Sequence, residues 1–217
     1  MLIGLTGGYC AGKNAVADIL EGKGWACVDV DKLGHEAIDM ASDAIRGRFG
    51  AAVMGRDGRV DRRELARIVF SDASALADQE AIVHPIAIRL TKERVAAAVE
   101  AAAASGTEPR VCVNAALLHR ADMIASCGAV IEVRAPLFIR IARGMRRDGT
   151  GPLAALRRIT RQRLFHAALR EAAEEAGRPI FVLRNGNGRG RLEAETERAL
   201  GRVVSIRSND RAHPTPA

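Results

Sequence analysis

The sequence predicts an α/β fold in which a parallel β-sheet is covered by helices on both faces. Alternation of strand-length apolar runs with helix-period stretches is typical of parallel strands joined by crossover helices. The runs are almost continuously apolar, as expected for strands that are buried on both faces. The five runs are residues 2–6, 25–30, 110–114, 128–133 and 179–184.

The composition is that of a soluble globular protein. Of the 217 residues, 48% are hydrophobic and 27% are charged, which excludes wholesale disorder, collagen and coiled coil. The formal net charge of +7 favours an anionic partner, and nucleic acid, a membrane surface and a phosphorylated small molecule all remain open. Aromatic residues make up only 3%. This weakens the case for single-stranded nucleic acid, because its binding proteins stack bases on aromatic side chains.

The cysteines and the amino terminus bear on the cellular compartment. No C-x-x-C pair occurs, and most cysteines lie in or beside apolar runs, so we expect reduced thiols and no disulfide framework. The four cysteines are Cys10, Cys27, Cys112 and Cys127. The chain enters a strand pattern at once, without a basic and apolar leader, and it has no apolar run of about 18 residues. We therefore expect a cytoplasmic protein with no membrane partner.

A long insertion separates the second apolar run from the third. Its roughly 80 residues show no strand pattern, which is far more than a single crossover needs. A turn is expected at 55–58, and an amphipathic helix at 61–70. The Ala-rich helical stretch that follows should be interrupted by a kink or a helix junction near His84 and Pro85, because proline disfavours helix in the residue before it.

A glycine-rich loop follows the first strand directly. Residues 7–13 read Gly-Gly-Tyr-Cys-Ala-Gly-Lys, which is the pattern G-x-x-x-x-G-K. Such a loop wraps a phosphate in backbone N–H groups at the start of a helix, while the lysine reaches the β- and γ-phosphates. Asn14 stands where a magnesium-binding Ser or Thr is usual, so we expect weaker positioning of the metal. The alternative is a glycine turn that only joins a strand to a helix.

Two carboxylates end the second strand. Strand alternation places Asp29 and Asp31 on one side, at the edge of the sheet where ligands bind in α/β folds. Phosphoryl transfer to an alcohol needs a carboxylate that accepts the hydroxyl proton, and Asp31 is the candidate. The alternative is that Asp31 only caps the following helix.

An arginine-rich segment covers residues 134–170. It holds ten arginines and one acidic residue, Asp148, so it carries the whole excess of positive charge. Arg140, Arg143 and Arg147 share one helical face, and arginine suits a phosphate clamp because its planar group bonds two oxygens at once.

The turn at 149–152 would let this segment move as a lid over a bound nucleotide. Two other interpretations stay open for the arginines, a solvated helical face and a nucleic-acid surface. The solvated face is favoured for Arg157, Arg158 and Arg170, and a surface role is likewise favoured for His119.

A series of motifs resembles the dephospho-CoA kinase family. The loop and the strand end look like that family's L-T-G-G-x-x-S-G-K-S and I-D-A-D segments. Further similarities follow in the same order across roughly residues 1–200. Residues 61–70 resemble the family's R-R-x-L-x-x-x-I-F segment, 82–85 its hydrophobic-H-P motif, and 143–148 its R-x-M-x-R-D motif. Gln162 matches a glutamine of the family's lid, and 185–186 match its N-G segment.

The resemblance implies a three-layer P-loop kinase fold with a five-stranded parallel sheet, a helical insertion and a lid. It implies ATP- and Mg²⁺-dependent phosphorylation of the ribose 3′-hydroxyl of dephospho-CoA, the last step of coenzyme A synthesis. A monomer is favoured, and nucleic acid is not expected as a partner.

The resemblance also assigns residues to roles. The expected catalytic residues are Asp31, Lys13, Arg143 and Arg147. The expected ATP contacts are Gly8, Tyr9, Cys10, Ala11, Gly12, Lys13, Asn14, Ala15, Asn185 and Gly186. The expected substrate contacts are Asp31, Arg63, His84 and Pro85, and Asn14 is the expected metal ligand.

The same resemblance implies a division of the chain. A single kinase domain is expected over 1–207, and a disordered tail over 208–217. The domain divides into a core (1–30, 108–135 and 178–207), a substrate-binding insertion (31–107) and a lid (136–177).

The chain departs from the family pattern at polar positions of the site. Besides Asn14, the V-P-L-L-x-E segment after the third strand has Ala116 for proline and Arg120 for the acid. One alternative is another small-molecule P-loop kinase with a nucleoside or shikimate-like acceptor, against which the H-P motif and the insertion argue. Another is a nucleotide-binding protein that has lost catalysis and acts as a regulator or nucleic-acid binder, which Asn14 and Arg120 favour.

Overall fold

The computed structural model describes residues 1–120, 123–162, 164–186 and 188–212, without the side chains of Arg120 and 206–212. Its strands are β1 (Leu2–Gly7), β2 (Ala26–Asp29), β3 (Val111–Asn114), β4 (Ala129–Arg134) and β5 (Ile180–Arg184). Its α-helices are α1 (Lys13–Gly22), α2 (Val30–Met40), α3 (Ser42–Phe49), α4 (Arg62–Val69), α5 (Ala73–Ala104), α6 (Leu137–Asp148), α7 (Pro152–Arg161), α8 (Phe165–Glu175) and α9 (Arg189–Ala212).

The five strands form one sheet in the order β2-β3-β1-β4-β5. β1 pairs in parallel with β3 and β4, and β4 pairs in parallel with β5. Each strand coincides with a predicted apolar run to within one or two residues, so the predicted α/β fold with a parallel sheet is confirmed. The carboxyl ends of β1, β3, β4 and β5 therefore lie along one edge.

The described structure separates into two compact units, Met1–Val28 with Ala98–Ala217, and Asp29–Ala97. In the first, α1 and α9 bury the sheet on one face through a continuous apolar core. Ile3, Leu5 and Ile131 of the strands contribute to this core together with Val16 and Leu20 of α1. The core fixes the start of α1 against the sheet, which places the glycine-rich loop.

The second unit consists of α2 to α4 and most of α5. Asp61 caps α4, because its carboxylate accepts the backbone N–H groups of Arg63 and Glu64. The predicted helix junction at His84 and Pro85 is wrong, since α5 runs through both residues. Burial of apolar side chains on both sides of the proline, among them Val83 and Ala87, holds the two halves in one helix.

Other features of the described chain bear on the remaining expectations. All four cysteines are free thiols, and burial raises the pKa of Cys127 to about 12. No described helix has both the length and the apolar character that a membrane crossing requires. The backbone of α9 runs to Ala212, into the segment expected to be a disordered tail, and residues 213–217 lie outside the described part.

Candidate active site

The glycine-rich loop joins β1 to α1 in a conformation that depends on glycine. Gly12 has a φ of 97°, in the left-handed region that side chains rarely adopt. A Cβ at Gly12 would also overlap the side-chain amide of Asn185. The loop closes on itself through a 2.9 Å hydrogen bond from the Ala11 N–H to the Gly8 carbonyl. The second glycine of the motif is therefore required both by its backbone and by its neighbour.

Lys13 begins α1, and its ammonium group is held by two amide side chains. It donates to Oδ1 of Asn114 at 3.0 Å and to Oδ1 of Asn14 at 3.2 Å. Asn114 also donates to Asn14 at 3.3 Å. Asn114 is buried at the end of β3, and the sequence analysis missed it. A polar residue that ends an apolar strand at the ligand-binding edge is the signal that could have revealed it.

The three arginines predicted to share a face of α6 all contact the glycine-rich loop, which confirms that spacing argument. Arg140 Nε donates to the Tyr9 carbonyl at 2.8 Å, and Arg143 Nη1 donates to the Ala11 carbonyl at 3.3 Å. The Arg147 guanidinium lies 4.8 Å from the centre of the Tyr9 ring. Burial lowers the pKa of Arg140. Together the three guanidinium groups bring positive charge to the phosphate loop.

Asn185 joins the lid to the loop. Its side chain donates to the Ala11 carbonyl at 2.9 Å and accepts from Arg143 Nη2 at 3.1 Å. Its backbone N–H donates to the Arg134 carbonyl at 2.7 Å. The residue is only 5% exposed, so its amide is committed to these contacts. The predicted nucleotide-binding asparagine thus lies directly against the loop.

A cavity of about 390 Å³ opens at the start of α1, within the range of small-molecule sites. Its lining includes Gly12, Ala15, Arg143 and Asn185. Gly186, which was expected among the ATP contacts, lines a separate cavity that is considered below. The cavity at the start of α1 thus brings together predicted ATP contacts and the predicted catalytic Arg143 from three distant segments of the chain.

Tyr9 is the loop residue most tightly held by the lid. Its backbone N–H donates to Oε1 of Gln162 at 2.6 Å, and its hydroxyl donates to Asp148. Burial and the Asp148 hydrogen bond raise the pKa of Tyr9. The ring packs against Gly144, where a Cβ would overlap it. The Tyr9 side chain is therefore contacted by both α6 and α7.

Asp148 is the centre of this contact. Its carboxylate accepts from Arg147 Nε at 2.9 Å and pairs with Arg158. The hydrogen bonds from Arg147 and Tyr9 lower the pKa of Asp148 to about 2, so it stays ionised at neutral pH. Arg158 is exposed, as a solvated face predicts, but it also takes part in this contact. Its guanidinium lies 5.8 Å from the centre of the Tyr9 ring, because α7 folds back beside α6 after the glycine turn.

Tyr9→Phe should loosen the lid while leaving the fold intact. The change removes one hydrogen bond to a charged acceptor, and we expect the free energy of unfolding to fall by about 1 to 2 kcal/mol. Asp148 keeps both arginine partners, so no charge is left unpaired. Hydrogen exchange should rise in α6 and α7, whereas exchange in the strands should change little. Unchanged exchange in α6 and α7 would show that the hydroxyl does not hold the lid.

Four predicted site residues belong to the second unit and are described within it. Asp31 is exposed in the first turn of α2, and His84 and Pro85 are exposed on α5. Arg63 is exposed at the start of α4.

The placement of Asp31 on a strand is wrong, because β2 ends at Asp29 and α2 begins at Val30. The suggestion that Asp31 caps this helix is also wrong. The N-cap is Asp29, whose carboxylate accepts the Lys32 N–H at 3.2 Å.

Two further residues were singled out in the segment after β3. His119 is half-buried, and its ring meets Phe165 edge to face at 5.7 Å, so it is a packing contact rather than a surface histidine. The Arg120 side chain lies outside the described part. Among the described residues, no group of three or more His, Cys, Asp or Glu side chains could hold a metal ion.

Comparison with known proteins identifies the family to which this chain belongs. A sequence model of dephospho-CoA kinase matches residues 1–176. The chain belongs to the dephospho-CoA kinase family. A dephospho-CoA kinase from Anaeromyxobacter dehalogenans is 36% identical over 202 residues, which are 92% of this chain and 90% of that protein. One from Thermus thermophilus is 35% identical over 205 residues, 94% of this chain and 91% of that protein.

Solved structures agree with the sequence comparison. The crystal structure of TT1252 from Thermus thermophilus has a TM-score of 0.71 and 33% identity, covering 95% of this chain and 97% of that one. A dephospho-CoA kinase from Campylobacter jejuni has a TM-score of 0.62 over 93% of this chain and 96% of its own. Its identity is 19%, so this likeness concerns the fold alone.

Proposed function

We propose that the chain transfers the γ-phosphoryl group of ATP to the ribose 3′-hydroxyl of dephospho-CoA, giving coenzyme A and ADP. The observation that carries the proposal is the phosphate loop itself, with Lys13 at its helical end and Arg143 of the lid hydrogen-bonded to its carbonyls. Membership of the dephospho-CoA kinase family supports the choice of acceptor.

The phosphates of ATP would bind along the loop. The N–H groups at the start of α1 and the Lys13 ammonium supply the positive end of the site. Arg143 and Arg147 would leave their present loop and ring contacts to bond the transferring phosphoryl group. Arginine in this position compensates the negative charge that is spread over the phosphoryl oxygens during transfer. The cavity lined by Ala15 and Asn185 would take the nucleoside.

The acceptor hydroxyl needs a base, and we assign that role to Asp31. It would accept the proton of the ribose hydroxyl as the oxygen attacks the γ-phosphorus, and ADP would leave with the bridging oxygen. Asp31 follows β2 by two residues, so its position in the chain suits a site beyond the carboxyl ends of the strands. The insertion over 31–107 would bind the rest of dephospho-CoA, with Arg63, His84 and Pro85 among its contacts.

We propose Mg²⁺ as the metal, with Asn14 as a ligand. Asn14 is exposed at the start of α1, and Mg²⁺ is usually held by one or two protein oxygens together with phosphates and water. The residues present fit such a site, although Lys13 and Asn114 now donate to the amide oxygen of Asn14. When bound, the ion would neutralise charge on the β- and γ-phosphate oxygens.

Asn14→Ser should lower the Mg²⁺ concentration that gives half-maximal activity. A hydroxyl in this position is the usual magnesium ligand of such loops. The change removes the amide oxygen to which Lys13 and Asn114 donate, but it keeps the direct bond between those two side chains. The measurement is a Mg²⁺ titration of turnover at saturating ATP, with Asn14→Ala as the control that removes the ligand. Superimposable titrations for all three proteins would show that residue 14 does not touch the ion.

The charge distribution supports a small phosphorylated partner. The segment 134–170 holds ten arginines against Asp148 alone, and Arg140, Arg143 and Arg147 among them contact the phosphate loop. We therefore propose that nucleic acid is not a partner. We further propose that the protein acts in the cytoplasm as a monomer.

The function is tested by measuring ADP release from Mg-ATP with different acceptors. Dephospho-CoA should stimulate release far above the rate without an acceptor, whereas adenosine and shikimate should not. Equal rates with and without dephospho-CoA, in a protein that still binds ATP, would overturn the kinase function and favour a nucleotide-binding regulator. Stimulation by adenosine or shikimate alone would overturn the choice of acceptor.

A further inference from the structure

A second cavity, of about 430 Å³, lies at the carboxyl ends of β4 and β5. It shares no lining residue with the cavity at the start of α1, and no step proposed above uses it. Three arginines line it, namely Arg134, Arg184 and Arg191, and we call it the arginine cavity. One carboxylate, Glu195, also lines it, and its volume is in the range of small-molecule sites.

The sheet itself brings two of these arginines together. Arg134 and Arg184 are register partners in the parallel pairing of β4 with β5. Neighbouring strands lie about 4.8 Å apart, and like charges directly opposite each other on a sheet are destabilising. Two arginines at this position therefore repel each other unless a negative charge lies between or beside them.

The carboxylates nearby do not neutralise this cluster. Glu132 accepts from one amino group of Arg134 at 2.6 Å and is also in contact with His166. Glu195 is bonded to Arg198 at 2.9 Å. Within the described part of the chain, Arg184 and Arg191 form no ion pair. The arginine cavity is thus left with a net positive charge.

One donor in the cluster is also unsatisfied. Among the described residues, Nε of Arg134 is buried and has no hydrogen-bond partner. A buried N–H without an acceptor is costly, and Glu132 engages only the terminal amino group. An anion bound between Arg134 and Arg184 would supply an acceptor and relieve the repulsion of the two guanidinium groups.

The shape of the cavity indicates the kind of anion. Its volume exceeds that of a single phosphate, and three guanidinium groups from two strands and a helix can each bond two oxygens. Pro136 and Val182 add an apolar wall. We propose that the arginine cavity is a second anion-binding site, which takes a small molecule carrying a diphosphate group, separate from the phosphate loop.

The test removes the phosphate loop from the measurement. Lys13→Ala should weaken binding at the loop, so that titration of this variant with inorganic pyrophosphate by calorimetry reports the arginine cavity. We expect one remaining site. Adding Arg184→Ala and Arg191→Ala should weaken it at least roughly tenfold. The control is Arg170→Ala with Arg202→Ala in the same Lys13→Ala background, which removes two exposed arginines elsewhere and should leave binding unchanged.

Two results would overturn the proposal. One is that Lys13→Ala abolishes pyrophosphate binding altogether, and the other is that the cavity and control variants lose affinity equally, as expected for general charge attraction.

The unfolding temperature of the Arg184→Ala variant shows whether a loss of binding comes from misfolding. Without pyrophosphate, Arg184→Ala should unfold at the same or a higher temperature than the unmodified chain, because it removes the repulsion with Arg134. Arg184→Lys with Arg191→Lys should bind with intermediate affinity.

Discussion

Asp31→Asn is expected to lower kcat by about 10²- to 10⁴-fold while leaving the affinity for ATP unchanged. Asparagine has nearly the same size as aspartate but cannot accept the proton of the acceptor hydroxyl. The carboxylate is exposed in the first turn of α2, so the change should not disturb packing. Steady-state turnover with dephospho-CoA and a separate measurement of ATP binding give the two quantities.

Asp29 provides a matched control two residues earlier. Its carboxylate caps α2 by accepting the Lys32 N–H, and asparagine caps helices about as well as aspartate. Asp29→Asn should therefore keep nearly full turnover. Normal turnover by Asp31→Asn, or an equal loss in both variants, would show that the base lies elsewhere and that the two aspartates serve the structure.

Arg143→Ala is expected to lower kcat by about 10³-fold or more, because an arginine that binds the transferring phosphoryl group contributes about 10³ to 10⁵ in rate. Arg143 now joins Asn185 to the Ala11 carbonyl, so the variant also loses a lid contact. Arg143→Lys should recover only part of the rate, since a lysine cannot bond two oxygens in the same plane. Single-turnover kinetics at saturating ATP would measure the chemical step.

The matched control is Arg157→Ala on α7, where the side chain is exposed. It removes the same charge from the same lid and should change kcat little. A large loss with Arg157→Ala would mean that the overall charge of the lid matters, rather than one arginine. A merely structural role for Arg143 would appear as a lower unfolding temperature with unchanged single-turnover rate, which would contradict the phosphate-clamp assignment.

The strands and the loop could be predicted because their signals are local. A buried parallel strand is a short apolar run, and the requirement for Gly12 arises from its own backbone conformation. Spacing on one helix likewise predicts that Arg140, Arg143 and Arg147 face the same way. In the structure, that face contacts the glycine-rich loop.

The errors concern places where tertiary contacts override a local rule. The strand placement predicted for Asp31 from alternation is wrong because α2 begins directly after Asp29. Pro85 did not interrupt α5, because buried positions on both sides hold the helix. Asn114 bonds Lys13 across 101 residues of chain, and Arg158 meets the ring of Tyr9 near the opposite end of the chain. No short sequence window contains either pair.

Identification of the product tests the central claim most directly. The full chain is incubated with Mg-ATP and dephospho-CoA, and the product is analysed by mass spectrometry and phosphorus NMR. We predict one added phosphoryl group per molecule, located on the ribose 3′-hydroxyl, with one ADP formed for each coenzyme A. ADP without a phosphorylated acceptor, or a phosphoryl group on a different hydroxyl, would contradict the proposed reaction.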